Sequence, residues 1–272
     1  DVDQVTDAFR IILADPNVKA VLVNGAVPLT MTYSGAGPMV GDVTDGRDYV
    51  PLADKVPSFE QGFGRLMASE SLPLADGSTS PGAFKGAKLR RKPFDLYVND
   101  SAAMGESGEV HSMCVRVVAA AKPLRVTLAW TDFPVDMVQR QSLLRNLVND
   151  LDLVVSCFSG HDNTQTTYAG NGRIEASSQG LYWTFDTINN VETVRVPHPG
   201  VGTTCKISVV GGSVVLGPQR YALVVSGYFE TATCAGTNTC IDGCYGRGLC
   251  NDGVCECQSP FKGIDCSLTP QP

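Results

Sequence analysis

A chain of 272 residues with a formal net charge of −7 has room for one to three domains with real cores. No run of Lys or Arg is longer than the short stretch at 88–92, so nucleic acid is a poor partner, because phosphate binding needs a basic surface. No apolar run reaches the length of a membrane span, and the scarcity of aromatics beside abundant Gly, Val, Thr and Ser favours a β-rich protein over a helical bundle.

The first predicted element is an amphipathic helix over residues 2–13, with Val2, Val5, Phe9, Ile12 and Leu13 on one stripe. Asp15-Pro16 ends it, since proline disfavours a helical residue before it. The apolar run 18–23 fits either a buried strand or a buried helix. Residues 28–57 read as loop, and 71–81 as a linker rich in turn formers. From residue 93 onward, short runs of strand length alternate with turn residues. Leu124, Val126, Leu128 and Trp130 alternate with Arg125, Thr127 and Ala129, which predicts a half-buried strand with Trp130 as a core plug. Further strands are expected over 94–98, 113–119, 147–155, 191–196, 205–210 and 221–226. Such a series without intervening helices predicts a mainly β fold, an antiparallel sandwich of the jelly-roll kind.

Ten cysteines are unevenly spread: six crowd into 240–266, while Cys114, Cys157, Cys205 and Cys234 are dispersed. That density belongs to an oxidising compartment, where crosslinks hold a segment with almost no apolar core. The expected location is therefore secreted or extracellular. The polar start at residues 1–6 has no basic region ahead of an apolar one, so the chain is expected to be a fragment of a longer exported protein. Strand parity places Cys157 in the inward series of Leu151, Leu153 and Val155, and Cys205 in that of Ile207 and Val209. Two inward cysteines on strands can reach the roughly 4.4–6.8 Å Cα separation a disulfide needs. Cys114 and Cys234 are left paired or free.

The spacing of Cys240, Cys244, Cys250, Cys255, Cys257 and Cys266, with Cys255-Glu256-Cys257 and the closing FKGIDC, resembles an EGF-like module of the tenascin type. Spacing alone leaves fifteen connectivities open. The resemblance implies Cys240–Cys250, Cys244–Cys255 and Cys257–Cys266. A zinc site is the competing use of such cysteines, disfavoured by the absence of a nearby histidine and by the tight C-x-C pair. Calcium-binding EGF modules carry acidic residues before the first cysteine. Here that stretch is AGTNT, so no calcium is expected in this module.

The middle of the chain carries LRVTLAWTDFP (124–134), LVNDLDLVV (147–155), NNVE (189–192) and GPQRYALVVSG (217–227). In order and spacing these resemble the C-terminal β-domain of subtilases related to high-molecular-weight bacterial alkaline proteases. Upstream, VKAVLVNGAVPLT (18–30) and PSFEQGFGRLMASESLPL (57–74) are similar to the last stretch of the same family's catalytic domain. The resemblance implies three parts: a catalytic-domain remnant (1–70), a β-sandwich accessory domain (71–231) and an EGF-like module (234–267). The family's Asp, His and Ser motifs are absent, so the chain is expected to be inactive alone although the family is a serine endopeptidase. Residues 5–24 (VTDAFRIILADPNVKAVLVN) also resemble the end of a succinyl-CoA synthetase β-subunit. About 20 residues cannot build a CoA or nucleotide site, so no ligand is carried over, and whether 1–24 are foreign to the rest stays open.

Asp150 and Asp152 share one face of a strand and repel unless solvated or bridged by a cation. Calcium favours such oxygens, and barrels of the resembling family bind it. The expected ligands are Asp150, Asp152, Asn189, Asn190 and Glu192, with Asn149, Asp132 and Asp186 able to complete the cage; a solvated polar face with asparagines fixing turns is the rival reading. Asn99-Asp100-Ser101 is the one glycosylation sequon, with Asn99 as acceptor. The expected function is a non-catalytic C-terminal part of a secreted protease. Its partners are the upstream catalytic domain and, through the EGF-like module, a protein or cell surface. The alternative is a free-standing adhesion or carbohydrate-binding protein.

Overall fold

The computed structural model describes residues 15–29, 31–33, 49–51, 57–58, 61–73, 94–134, 147–159, 164–172, 174–177, 180–183, 185–234, 240–251, 254–261 and 266. The helix expected over 2–13 and most of the linker at 71–81 lie outside them.

Asp15-Pro16 here begins a helix. The Asp15 side chain accepts a hydrogen bond from Asn17 N at 2.8 Å, and Pro16 occupies the first turn, where its missing N–H costs nothing. The run 18–23 is thus helical, within α1 (Pro16–Asn24). Strands β1 (Met31–Tyr33) and β2 (Tyr49–Pro51) pair antiparallel where the sequence reads as loop. Gly, Asp and Pro mark turns but do not stop the β-forming Tyr, Thr and Val residues beside them from pairing. One helical turn follows, α2 (Ala68–Ser71).

The strands β3 (Asp95–Asn99), β4 (Ala103–Met104), β5 (Val110–Val117), β6 (Leu124–Trp130) and β7 (Asn149–Ser159) come next. Then follow β8 (Thr164–Ala169), β9 (Ile174–Ser177), β10 (Gly180–Trp183), β11 (Val191–Val196), β12 (Thr204–Val214), β13 (Gln219–Gly227) and β14 (Phe229–Ala232). One five-stranded sheet has the order β11-β6-β13-β3, with β4 also on β13; the other runs β14-β5-β12-β7-β8. All these neighbours are antiparallel.

The protein is therefore mainly β, and its two large sheets share one core. Leu124, Val126, Leu128 and Trp130 of β6 meet Leu151, Leu153 and Val155 of β7 and Ile207 and Val209 of β12 there. Fully burying one such side chain contributes about 1.5–3 kcal/mol. Trp130 has no solvent exposure, and its indole Nε1 donates to Asn149 O at 3.1 Å, satisfying the one polar atom that a buried tryptophan carries. Cys157 and Cys205 occupy facing positions on β7 and β12 inside this core and are disulfide-bonded. Their Cα atoms are 3.9 Å apart, nearer than the sequence-based range, because the pair is directly opposed on adjacent strands. A second bridge, Cys114–Cys234, ties β5 to the chain just past β14.

One expectation needs correcting. β6 is not half-buried: all seven of its residues are buried. Its outer face is covered by α1, so Arg125, Thr127 and Ala129 lie under a helix rather than water. Ala20, Ala129, Val191, Ala222 and Val224 form this second layer, with Phe63 and Leu96 at its margin. Small side chains let the helix approach closely. Asn24, at the helix end, is buried and closes the contact: its Nδ2 donates to Thr127 Oγ1 at 3.2 Å and to Val224 O at 3.4 Å, and its Oδ1 accepts from Ser226 Oγ. Glu70 of α2 is pinned beside it by Lys122 Nζ at 2.7 Å and Arg125 Nη1 at 3.0 Å. Gly25 is required where α1 crosses α2, since a Cβ there would lie 2.1 Å from Ser71 Oγ.

At the C-terminal end β15 (Gly248–Asn251) and β16 (Val254–Cys257) form a hairpin held by Cys240–Cys250, Cys244–Cys255 and Cys257–Cys266. The Arg247 guanidinium lies 4.6 Å from the Phe261 ring centroid. No helix of the described residues is long and apolar enough to cross a membrane.

Asn24 is the polar clasp between helix and sheet. Replacing it with Ala leaves three buried groups short of a partner, at about 1–3 kcal/mol. Asn24→Ala is expected to lower the unfolding free energy by that amount, read as a lower urea midpoint at an unchanged m-value; an unshifted midpoint would show that these hydrogen bonds contribute nothing to the stability of the sandwich.

Candidate functional site

β7 pairs with β12 along its length but with β8 only from Val154 onward, so residues 149–153 keep one open edge. Glu192 fills part of that gap. It sits on β11 in the inward series with Val194 and Val196, is fully buried, and its Oε2 accepts from Leu153 N at 2.6 Å. A carboxylate of one sheet thus takes the place of a missing strand for the other. Its second oxygen, Oε1, has no hydrogen-bond partner.

Asp150 and Asp152 alternate with Leu151 and Leu153, as strand parity requires, yet both are buried, at 9% and 4% exposure. The expectation of a solvated face therefore fails at this position. Two glycines clear the ground around these groups. A Cβ on Gly170 would lie 2.0 Å from Glu192 Oε2, and one on Gly212, beside the irregularity between Gly211 and Ser213 in β12, would lie 2.3 Å from Asp152 Oδ2. Burial raises the Glu192 carboxyl well above the ordinary carboxylate range. Repulsion from Asp152 adds to this, the hydrogen bond from Leu153 opposes it, and Asp186 and Asp150 raise it further.

The other expected ligands are engaged elsewhere. Asn149 Oδ1 accepts from Val215 N and Leu216 N at 2.8 and 2.9 Å, while its Nδ2 donates to Leu216 O and Gln219 Oε1. Asp132 accepts from Val148 N at 2.7 Å and Asn149 N at 2.9 Å. Asp186 accepts from Ile188 N, Asn189 N, Asn189 Nδ2 and Asn171 Nδ2. Asn190 accepts from Lys19 Nζ at 3.0 Å and donates to Trp130 O at 2.9 Å. These residues lock loops around the cluster. Asp150, Asp152 and Asp186 are buried carboxylates near Glu192, and each adds to the rise of its carboxyl. Sequence reasoning missed Gly170, Asn171 and Gly212. Asn171 has φ 57°, and the Gly170-Asn171-Gly172 turn was the available signal.

The chemistry of this donor set suits a hard divalent cation: buried carboxylates, one oxygen without a partner, and backbone cut back to glycine on two sides. The oxygens are not drawn into a closed cage. Among the described residues, three ligand atoms lie within 4.8 Å of one another only at the sulfurs of Cys240, Cys244 and Cys255, which are spent on disulfides and so unfit for zinc.

Among the described residues there is one carboxylate–imidazole–hydroxyl chain. His111 Nε2 meets Glu109 Oε1 at 2.8 Å, and its Nδ1 meets Tyr221 OH at 2.8 Å. Burial, with Tyr97 and Glu109 adding to it, pushes the Tyr221 hydroxyl up to about 12, so it keeps its proton and makes a poor nucleophile. The chain ties β5 to β13 across the core. His161 lies outside the described residues. Asn99 of the sequon ends β3, its Oδ1 accepting from Ser101 N at 3.1 Å and Ser101 Oγ at 3.2 Å.

No protein-family model matches this chain, and no characterised protein sequence matches it significantly. Among solved structures, the Macrobrachium rosenbergii nodavirus P-domain shows 9% identity and a TM-score of 0.16 over 50% of this chain and 94% of that one. So slight a likeness carries no argument about this protein.

Glu192 sets a pH dependence. Below the ordinary value of 4.5 it is protonated in both states and imposes no penalty. As pH rises from there through its raised folded value, the unfolded chain ionises first. Stability then falls at up to about 1.4 kcal/mol per pH unit. Glu192→Gln keeps an acceptor for Leu153 N without the charge. In chelator-treated protein its urea midpoint should exceed the native one at about pH 7, with the gap closing toward about pH 4. A gap that is the same at both pH values would remove the charge on Glu192 as its cause.

Proposed function

We propose that this chain is the non-catalytic C-terminal part of a secreted subtilisin-like serine endopeptidase. In this reading the sandwich is the family's jelly-roll-like β-domain and the six-cysteine segment an EGF-like module. The observation that carries the proposal is the welding of α1 and α2 to the sheet. The stretches that resemble the end of a catalytic domain pack on β6, β11 and β13 through Ala20, Asn24 and Glu70. On its other side α1 presents an apolar groove of about 350 Å³, lined by Val18, Val21, Leu22, Leu66, Ala68 and Leu72. A helix apolar on both sides belongs between two layers. The missing body of the catalytic domain supplies the second layer, and the β-domain stabilises it or shapes access to its cleft.

Two further features support the reading. From β5 to β14 the chain passes repeatedly between the sheets, as jelly rolls do. The three C-terminal disulfides join first to third, second to fourth and fifth to sixth, the pairing that EGF-like modules use. Five disulfides suit an oxidising, extracellular setting. Tyr245 and Leu249 are exposed on the module and offer apolar contacts to a protein or cell-surface partner.

Calcium is the cofactor of this proposal. Asp150, Asp152 and Glu192 would hold it, and it would supply positive charge beside the Glu192 oxygen that has no hydrogen-bond partner. A ligand bound only by the folded state stabilises by mass action. Calcium should therefore raise the melting temperature of the native chain over a chelator control and lose that effect in the Asp150→Asn, Asp152→Asn double variant. An equal rise in both proteins would take these residues out of the site.

The identity of the parent is tested by its coding sequence and by a probe. A reading frame continuous with Asp1 that encodes an Asp/His/Ser triad supports the proposal; a signal peptide directly before Asp1 sinks it. A serine protease needs a serine beside an oriented histidine and oxyanion donors. The 272-residue chain alone should leave a fluorophosphonate probe unreacted beside an active subtilase. Stoichiometric labelling of one serine, abolished by replacing any one of the chain's three histidines, His111, His161 or His198, would overturn the claim of inactivity.

A further inference from the structure

On the sheet face under α1, two cations stand directly opposed. Arg125 on β6 and Arg195 on β11 are cross-strand partners in the antiparallel register. Both point outward, because Leu124 and Val126 on one side and Val194 and Val196 on the other fill the core. Like charges directly opposite on neighbouring strands are destabilising unless a counter-charge lies between them. Glu70 is the carboxylate paired at this corner, and it is shared between Arg125 and Lys122. Among the described residues three cations thus share one anion, and the carbonyl end of α1 at Asn24 adds only partial negative charge. No carboxylate among the described residues is ion-paired with Arg195. Burial, then the facing Arg125, holds the Arg195 guanidinium below its ordinary range, with Glu70 opposing.

Arg125 is only 8% exposed, and its Nε is buried without a hydrogen-bond partner. A buried donor left unmatched costs about 1–3 kcal/mol, more when charged. Beside the pair is a cleft of about 40 Å³, lined by Val23, Asn24, Phe63, Arg125, Thr193 and Arg195. A single water needs roughly 10–15 Å³ on this measure, so the cleft admits one small polyatomic head and excludes a sugar or a nucleotide.

We propose that the Arg125–Arg195 cleft is an oxyanion site, sized for one carboxylate, sulfate or phosphate group. Guanidinium groups suit this task, since their planar donors match two oxygens at once. The oxyanion would come from one of two sources: a free inorganic anion, or a carboxylate side chain of a polypeptide seated over α1. The cleft asks for neither calcium nor the protease reading, so it stands or falls apart from them.

The test is thermal melting and isothermal titration of the whole 272-residue chain with sodium sulfate, phosphate or acetate, against sodium chloride at matched ionic strength. Saturable binding with a rise in melting temperature is expected. A response to sulfate and phosphate alone assigns the free tetrahedral anion; a response to acetate assigns the carboxylate. Arg195 lies at the rim of the cleft with part of its side chain in solvent, so Arg195→Gln should fold normally and weaken binding by about tenfold or more, the loss of a charge-assisted hydrogen bond. Thr231→Ala, on the other sheet, should bind as the native chain does. No response beyond the chloride control, or an undiminished response in Arg195→Gln, overturns the proposal.

Discussion

Burial of β6 on both faces is the constraint on which the rest depends. An antiparallel strand ordinarily buries one face and wets the other. Here the inner face packs on the second sheet and the outer face on α1. The outer face nevertheless carries Arg125 and Thr127, so every polar atom placed there needs a partner within the protein. Asn24 answers for Thr127, and Glu70 answers in part for Arg125. The position of the helix and that of the acidic residue on α2 are therefore not independent. Removing the helix would strand polar groups that the sheet alone cannot satisfy.

Much of this was legible in the sequence. β6 and β11 fall at the predicted limits, β6 because alternation over seven residues leaves little freedom and β11 because its valines are bounded by turn-forming Asn and Pro residues. The inward position of Cys157 and Cys205 followed from the same parity. β8 was not found, since TQTTYA has no apolar alternation: its first residues are exposed, and it is held by its ladder to β7 and by Ser156–Thr167 contact. The burial of β6 on its outer side was equally hidden. A period of two says that the faces differ, not that the polar one meets water, and the helix that covers it lies about a hundred residues away in sequence.

The candidate site was legible by residue type and not by role. The run LVNDLDLVV and NNVE drew attention to the right strands, and the structure brings Asp150, Asp152 and Glu192 into one buried neighbourhood. The asparagines and Asp132 and Asp186 proved to be loop locks, because short polar side chains at strand ends bond first to nearby backbone. Distinguishing a lock from a ligand requires knowing which oxygen is left over. In Glu192 it is Oε1, and only coordinates could show that.

β11 carries the consequence furthest. Glu192 and Arg195 are three residues apart on one strand, an odd separation, so their side chains leave on opposite faces. The sheet stands between them. Glu192 faces inward among carboxylates, and Arg195 faces outward against Arg125. Had the spacing been two or four, the two could have neutralised each other and the strand would have needed nothing more. Strand parity forbids that ion pair and leaves an excess of negative charge on one face and of positive charge on the other. Each face therefore settles its own charge balance: the hydrogen bond from Leu153 N opposes the rise at Glu192, and Glu70, shared with Lys122, opposes the mutual repulsion of the two arginines.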